Sequence, residues 1–111
     1  MPQELTFDIS RDGGRATVVL AGDLDMAGTL RLEPETEALL EDPGIELLVL
    51  DLQGVDFIDS VGLRLLVETH NESQRAGCRL ALVHGSRNVR RIVEIAGYEG
   101  FLPFTDERAA T

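Results

Sequence analysis

Tryptophan is absent from this chain, and other aromatic residues are scarce: one tyrosine and four phenylalanines among 111 residues. The core must therefore be built mostly from leucine, valine, isoleucine and alanine. A single cysteine, Cys78, excludes an internal disulfide and suits a reducing cytoplasm. It lies in an apolar run, where a small buried thiol is the ordinary occupant. No apolar run approaches the roughly 20 residues that span a bilayer. The opening Met1-Pro2-Gln3-Glu4 lacks the basic and apolar regions of a signal peptide. Positive charge is also in short supply: 10 Lys+Arg stand against 20 Asp+Glu, a formal net charge of −10. Such a surface repels nucleic acid and anionic membranes, so protein partners with basic or mixed faces are expected. Repeats, low-complexity segments and linkers are missing as well, and the length suits one domain over residues 1–111.

What is present alternates strand and helix patterns. Leu5 to Ser10 puts Leu5, Phe7 and Ile9 against Thr6, Asp8 and Ser10, the period of a half-buried strand. Asp12-Gly13-Gly14 supplies a tight turn, and Ala16 to Ala21 returns as an antiparallel strand. After Gly22-Asp23-Leu24-Asp25 a helix carries Leu30, Ala38, Leu39 and Leu40. Pro34 either kinks it or delays its regular part to about Glu33. Asp42-Pro43-Gly44 is a stop. Ile45 to Leu52 is nearly continuous apolar sequence, as in a central strand. A short polar loop then leads to a helix from Ser60 to about Ala76, capped by Gly77. Cys78 to Val83 is a further strand, and His84-Gly85-Ser86 turns the chain. Val89, Ile92, Val93 and Ala96 mark the face of a third helix that Gly97 ends. Phe101 to Phe104 forms a short last strand or an apolar tether, and Thr105 is placed to cap a brief terminal helix.

The order ββαβαβα plus a short tail predicts an α/β domain, a mixed β-sheet opened by an N-terminal hairpin, with flanking helices. Right-handed crossovers bring the carboxyl ends of the parallel strands to one edge. Asp23, Asp25, Asp59, Ser60, Gly85 and Ser86 line that edge, where open α/β sheets usually carry their function. Asp59-Ser60 presents a hydroxyl at a helix N-terminus. A phosphate there would meet free backbone N–H groups and the positive end of the helix dipole. That is the pattern of a phosphorylation switch; an N-cap serine without further function gives the same pattern. Gly62, in the first helical turn, costs about 0.5–1 kcal/mol relative to alanine. Either close approach of another protein or tight packing within the domain would explain it.

Other chemistry finds less support. Ser60 lacks the Gly-x-Ser-x-Gly frame of a hydrolase, because Ile58 stands at the first glycine position. His70 falls on or near the apolar side of its helix, and His84 ends a strand. With Cys78 they lack metal-ligand spacing. The phosphate loop and dinucleotide fingerprints are absent, so no bound cofactor is expected. Arg87, Arg90 and Arg91 cluster at a helix start, either as a solvated face or as a docking patch for an acidic surface.

Three blocks in order resemble one family. Asp59-Ser60-Val61-Gly62-Leu63 after the strand Leu47 to Leu52 is similar to the hallmark of STAS domains, and more narrowly of bacterial anti-sigma factor antagonists. Gly22-Asp23-Leu24-Asp25 resembles the upstream Gly-Glu/Asp-Leu-Asp element, and Val89 to Gly97 resembles the third helix. The resemblance implies a non-enzymatic protein that binds an anti-sigma factor of histidine-kinase-like ATP-binding fold. That partner, which would hold the ATP and Mg, phosphorylates the motif serine, and a serine phosphatase reverses the modification. Ser60 matches the acceptor, Asp59 the preceding acid and Asp25 the acid of the upstream loop. Asp23, Asp25, Asp59, Ser60, Val61, Gly62 and Leu63 are the implied contact residues. Val61 replaces the serine or threonine of many members, which leaves one hydroxyl in the motif. The same resemblance admits an unphosphorylated accessory subunit of stressosome or lipid-transport type. Direct contact with nucleic acid or membrane is not expected.

Overall fold

The computed structural model describes residues 3–106. Strands β1 (Thr6–Asp12) and β2 (Arg15–Leu24) form the opening hairpin, with Gly13 at φ +61° in its turn. Then follow α1 (Met26–Glu41), β3 (Leu47–Ile58), α2 (Ser60–Ala76), β4 (Arg79–Val83), α3 (Arg87–Ile95) and the two-residue β5 (Phe104–Thr105). The sheet order is β1-β2-β3-β4-β5, with β1 antiparallel to β2 and every other pair parallel. This is the mixed α/β domain that the pattern predicted.

Alternation along the strands decides where the helices go. Ala16, Val18 and Leu20 of β2 share a face with Leu48, Leu50 and Leu52 of β3 and with Leu82 of β4. The same cluster holds Leu32 and Leu39 of α1, Leu63 and Leu66 of α2, and Val89 and Val93 of α3. All three helices therefore cover one side of the sheet, as right-handed crossovers between sequential parallel strands require. A small second cluster, Val49 and Val83 with Leu47 and Ala81, occupies the other side. Strand β1 is less buried than its alternation suggested: Phe7 is half-buried and Ile9 exposed, because β1 is the sheet edge and the helices lie beyond it.

Two readings of the sequence need correction, and a third goes untested. The stretch after Leu52 is not a loop. Strand β3 runs on to Ile58, paired with β2 through register shifts at Val19/Ala21 and Gly22/Asp23. Such bulges break the alternation that marks a strand, so the segment looks irregular in sequence. Gly54 permits the pairing, since a Cβ there would lie 2.8 Å from the Leu20 carbonyl oxygen. Helix α1 starts at Met26 and passes through Pro34 without interruption. Pro34 deprives only the Leu30 carbonyl of its donor, and both residues are exposed, so solvent can replace the bond. Finally, Thr105 lies in β5, and the terminal helix expected after it falls outside the described residues.

Helix α2 ends as expected, with Gly77 at φ +71° and the Cys78 N–H donating to the Ser73 carbonyl at 2.9 Å. The Tyr98–Leu102 turn then returns the chain across this helix. His70 meets Phe101 edge-on at 4.9 Å, and His84 stacks on Phe104 at 4.8 Å, so both imidazoles are packing residues. Burial, aided by Arg90 and opposed by Asp106, holds the His84 pKa below the usual histidine range.

Candidate functional site

Two helix N-termini meet at the edge where β2 and β3 end. Asp25 caps α1, its Oδ1 accepting from the Gly28 N–H at 2.9 Å. Asp59, not Ser60, caps α2, its Oδ1 accepting from the Gly62 N–H at 2.9 Å. The sequence repeats itself here: Asp25-Met26-Ala27-Gly28 and Asp59-Ser60-Val61-Gly62 are the same Asp-x-x-Gly cap. Each glycine sits at the third helical position, where its amide reaches the cap and its missing side chain lets the helix press on the strand before it.

The two caps are tied together. The second oxygen of Asp59, Oδ2, accepts from the Met26 N–H of α1 at 3.1 Å. The Asp59 N–H donates to the Leu24 carbonyl at 3.3 Å, so the end of β3 is held to the end of β2. At Gly62 a Cβ would overlap the Leu24 carbonyl oxygen and lie 2.9 Å from Leu24 Cγ. Of the two explanations for this glycine, packing inside the domain accounts for it. One carboxylate thus satisfies orphan N–H groups of two helices.

Asp59→Ala is expected to cost about 2 kcal/mol, twice the effect of Asp25→Ala, because two acceptors are lost together. Asp59→Asn keeps the bond to Gly62 and gives up the one to Met26, so it falls between them. Urea unfolding of the three variants checks the order.

Ser60 is the first residue of α2 and is exposed. Its hydroxyl has no hydrogen-bond partner among the described residues. A group that is neither a cap nor a core residue is free to react. Asp25, Asp59 and Val61 are half-buried around it. Asp23, Gly62 and Leu63, expected at the contact surface, are buried. The Asp23 carboxylate accepts from the Gln3 N–H at 2.9 Å, and its own N–H donates to the Gln3 carbonyl, so it fastens the N-terminal segment to β2. These three residues shape the surface from beneath it. Gly85 and Ser86 do lie at the same end of the sheet, where Ser86 Oγ accepts from the Val89 N–H at 3.3 Å as the cap of α3.

Sequence reasoning missed the apolar rim. Met26 is 58% exposed, Leu30 68% and Phe57 42%. Met26 occupies in α1 the position that Ser60 occupies in α2, and Phe57 lies three residues before Ser60. The duplicated Asp-x-x-Gly cap was the available signal for Met26; Leu30 was read as an apolar position of α1 but faces solvent; Phe57 had no signal, because its segment looked like a loop.

The sequence pattern of the STAS domain matches residues 6–110. The chain belongs to the STAS domain family. BtrV of Bordetella bronchiseptica, assigned as an anti-sigma factor antagonist, is 31% identical over 107 residues, covering 96% of this chain and 90% of its own length. The anti-sigma-F factor antagonist RsfB of Mycobacterium tuberculosis is 27% identical over 99 residues, covering 88% of this chain and 79% of RsfB. A crystal structure of an anti-sigma factor antagonist from Mycobacterium paratuberculosis superposes with a TM-score of 0.85 at 26% identity, covering 99% of this chain and 93% of that one. The unphosphorylated antagonist SpoIIAA shares the fold, with a TM-score of 0.79 at 18% identity and coverage of 95% and 92%. Among the described residues no helix of this STAS domain is long and apolar enough to cross a membrane.

Proposed function

We propose that this STAS domain is an anti-sigma factor antagonist controlled at Ser60. Unphosphorylated, it binds an anti-sigma factor of histidine-kinase-like ATP-binding fold through the edge around Ser60, and so frees a sigma factor in the cytoplasm. The anti-sigma factor, using its own ATP and Mg, phosphorylates Ser60 and ends the binding; a serine phosphatase restores it. The protein acts by binding and carries out no catalysis of its own.

The observation that carries this reading is the exposed, unpartnered hydroxyl of Ser60 on a helix start that a different residue, Asp59, already caps. An acceptor must reach into a kinase site without unfolding the domain, and this arrangement allows it. The names of the relatives at 31% and 27% identity support the class of partner. Against hydrolysis stand the two imidazoles, each packed on a phenylalanine ring, with no hydrogen bond to Ser60.

Incubation with the anti-sigma kinase encoded by the same cell and radiolabelled MgATP should place one phosphate on Ser60. Ser60→Ala should remain folded and take up none. Full labelling of Ser60→Ala, or labelling elsewhere in the native chain, would overturn the assignment.

A further inference from the structure

Residues at helical spacing lay a stripe along each of the two joined helices. On α1 it runs Met26, Leu30, Glu33, Glu37 and Glu41; on α2 it runs Val61, Leu65, Glu68 and Glu72. The stripes face each other across a seam that opens in two places. A cleft of about 210 Å³ lies between Leu30, Glu33, Val61, Arg64 and Glu68, at the end nearer Ser60. A second, of about 400 Å³, lies between Glu37, Leu40, Glu41, Glu72 and Arg75 at the far end. The seam thus carries exposed apolar side chains beside Ser60 and, along its length, five glutamates against two arginines.

Three features of the free protein are left wholly or partly unsatisfied. Leu30 and Met26 are exposed apolar side chains at one end. Thr29, only 5% exposed, lines the first cleft, and its Oγ1 has no hydrogen-bond partner among the described residues. The carboxylates repel one another: burial and then the charge of Glu37, with Glu68 and Glu33 adding, raise the Glu72 pKa above the usual glutamate range, Arg75 opposing. Arg64 and Arg75 line the two clefts and offset part of this charge. Arg64 reaches Glu68 only at 3.9 Å, with both side chains largely solvated. A net excess of negative charge beside exposed leucine and methionine selects a ligand with the opposite charge and an apolar face. A groove between two helices accepts a third helix, read by anchors at i, i+4 and i+7.

We propose that the seam between α1 and α2 seats a basic amphipathic helix of the protein partner, with an apolar anchor on Met26 and Leu30 next to Ser60 and arginine or lysine side chains on Glu37 and Glu72. This rests on the reading of Ser60 as a partner-binding edge and says what kind of segment the partner brings there. It also gives the phosphate a second point of action, since charge added at Ser60 falls beside the apolar anchor.

The test uses the full chain and a fluorescein-labelled peptide of about 16 residues, the length of α1, with leucines on one face flanked by arginines. A matched peptide with glutamate for arginine is the comparison. The arginine peptide should bind in low salt, and Glu37→Gln/Glu72→Gln should weaken it about tenfold while raising the melting temperature, because repulsion in the free protein is relieved. Leu30→Glu should weaken it as well. Asp8→Asn/Asp12→Asn, which removes the same charge from the exposed hairpin, should change affinity less than about twofold. Backbone amide shifts should concentrate in residues 26–41 and 61–76. Equal losses in the seam and hairpin variants would reduce the binding to net charge and overturn the proposal. Salt-sensitive self-association abolished by Arg90→Glu would overturn it in favour of a second copy. Kinase labelling of Ser60 is read separately: if it occurs while the peptide fails to seat, the seam is wrong and the switch stands.

Discussion

Gly62→Ala is expected to destabilise the domain by about 3 kcal/mol, although alanine is the better helix former. In an isolated helix the same change would stabilise by about 1 kcal/mol. The sign reverses because the added Cβ falls on the Leu24 carbonyl oxygen and close to Ile58 Cγ1, at 3.0 Å. Neither neighbour can yield cheaply. The Leu24 carbonyl accepts from the Asp59 N–H, and both Leu24 and Ile58 are core residues. Helix α2 would have to lift from the sheet, which would stretch both bonds of Asp59. For a domain of this size the loss corresponds to a fall in melting temperature of roughly 12–20 °C. Gly77→Ala is the control. Its φ of +71° strains any side chain, but nothing lies within 4 Å of the new Cβ, so the cost is about 1 kcal/mol. Calorimetry of the two variants separates packing from backbone strain. Equal losses would mean that α2 does not press on β2 as described.

The comparison between sequence and structure turns on such contacts. Element order, the hairpin, the start of α2 and its glycine cap were legible, because alternation, helical spacing and turn residues are local signals. The second half of β3 was not, since its bulges removed the alternation from Gln53 to Ile58. Pro34 suggested a break that did not occur, because its lost hydrogen bond falls on the exposed side of α1. At the site, Ser60 and Asp59 were found from the helix-start pattern, but that pattern left the cap open to Ser60. The structure divides them: Asp59 holds two helices, and Ser60 is left without a structural task. No local rule places the N–H of Met26 on the carboxylate of Asp59. That contact is 33 residues apart in sequence and depends on how β2 and β3 end together. The burial of Asp23 is of the same kind, since its partner is the segment that precedes the hairpin.

Phosphorylation of Ser60 is expected to weaken partner binding roughly a hundredfold while leaving the melting temperature almost unchanged. Within the domain the phosphate would carry about −1.5 to −2 charges at the N-terminus of α2. The helix end favours it by about 0.3–1 kcal/mol, and the fixed charge of Asp59 acts in the opposite direction. The hydroxyl has no bond to lose among the described residues and the residue is already exposed, so nothing needs to unfold. At an interface the same group has no such compensation. One like-charge pair about 5 Å apart repels by about 3 kcal/mol at an effective dielectric near 20. Desolvating the phosphate beside the exposed Met26, whose N–H binds the same carboxylate that caps α2, adds to the penalty. Ser60→Asp should reproduce only part of the loss, with one charge on a shorter arm. Two measurements on the same phosphorylated sample decide between switching at the surface and switching by unfolding: affinity for the anti-sigma partner by calorimetry, and melting temperature without it. A fall of ten degrees or more in melting temperature with unchanged affinity would place the effect inside the domain and sink the surface mechanism.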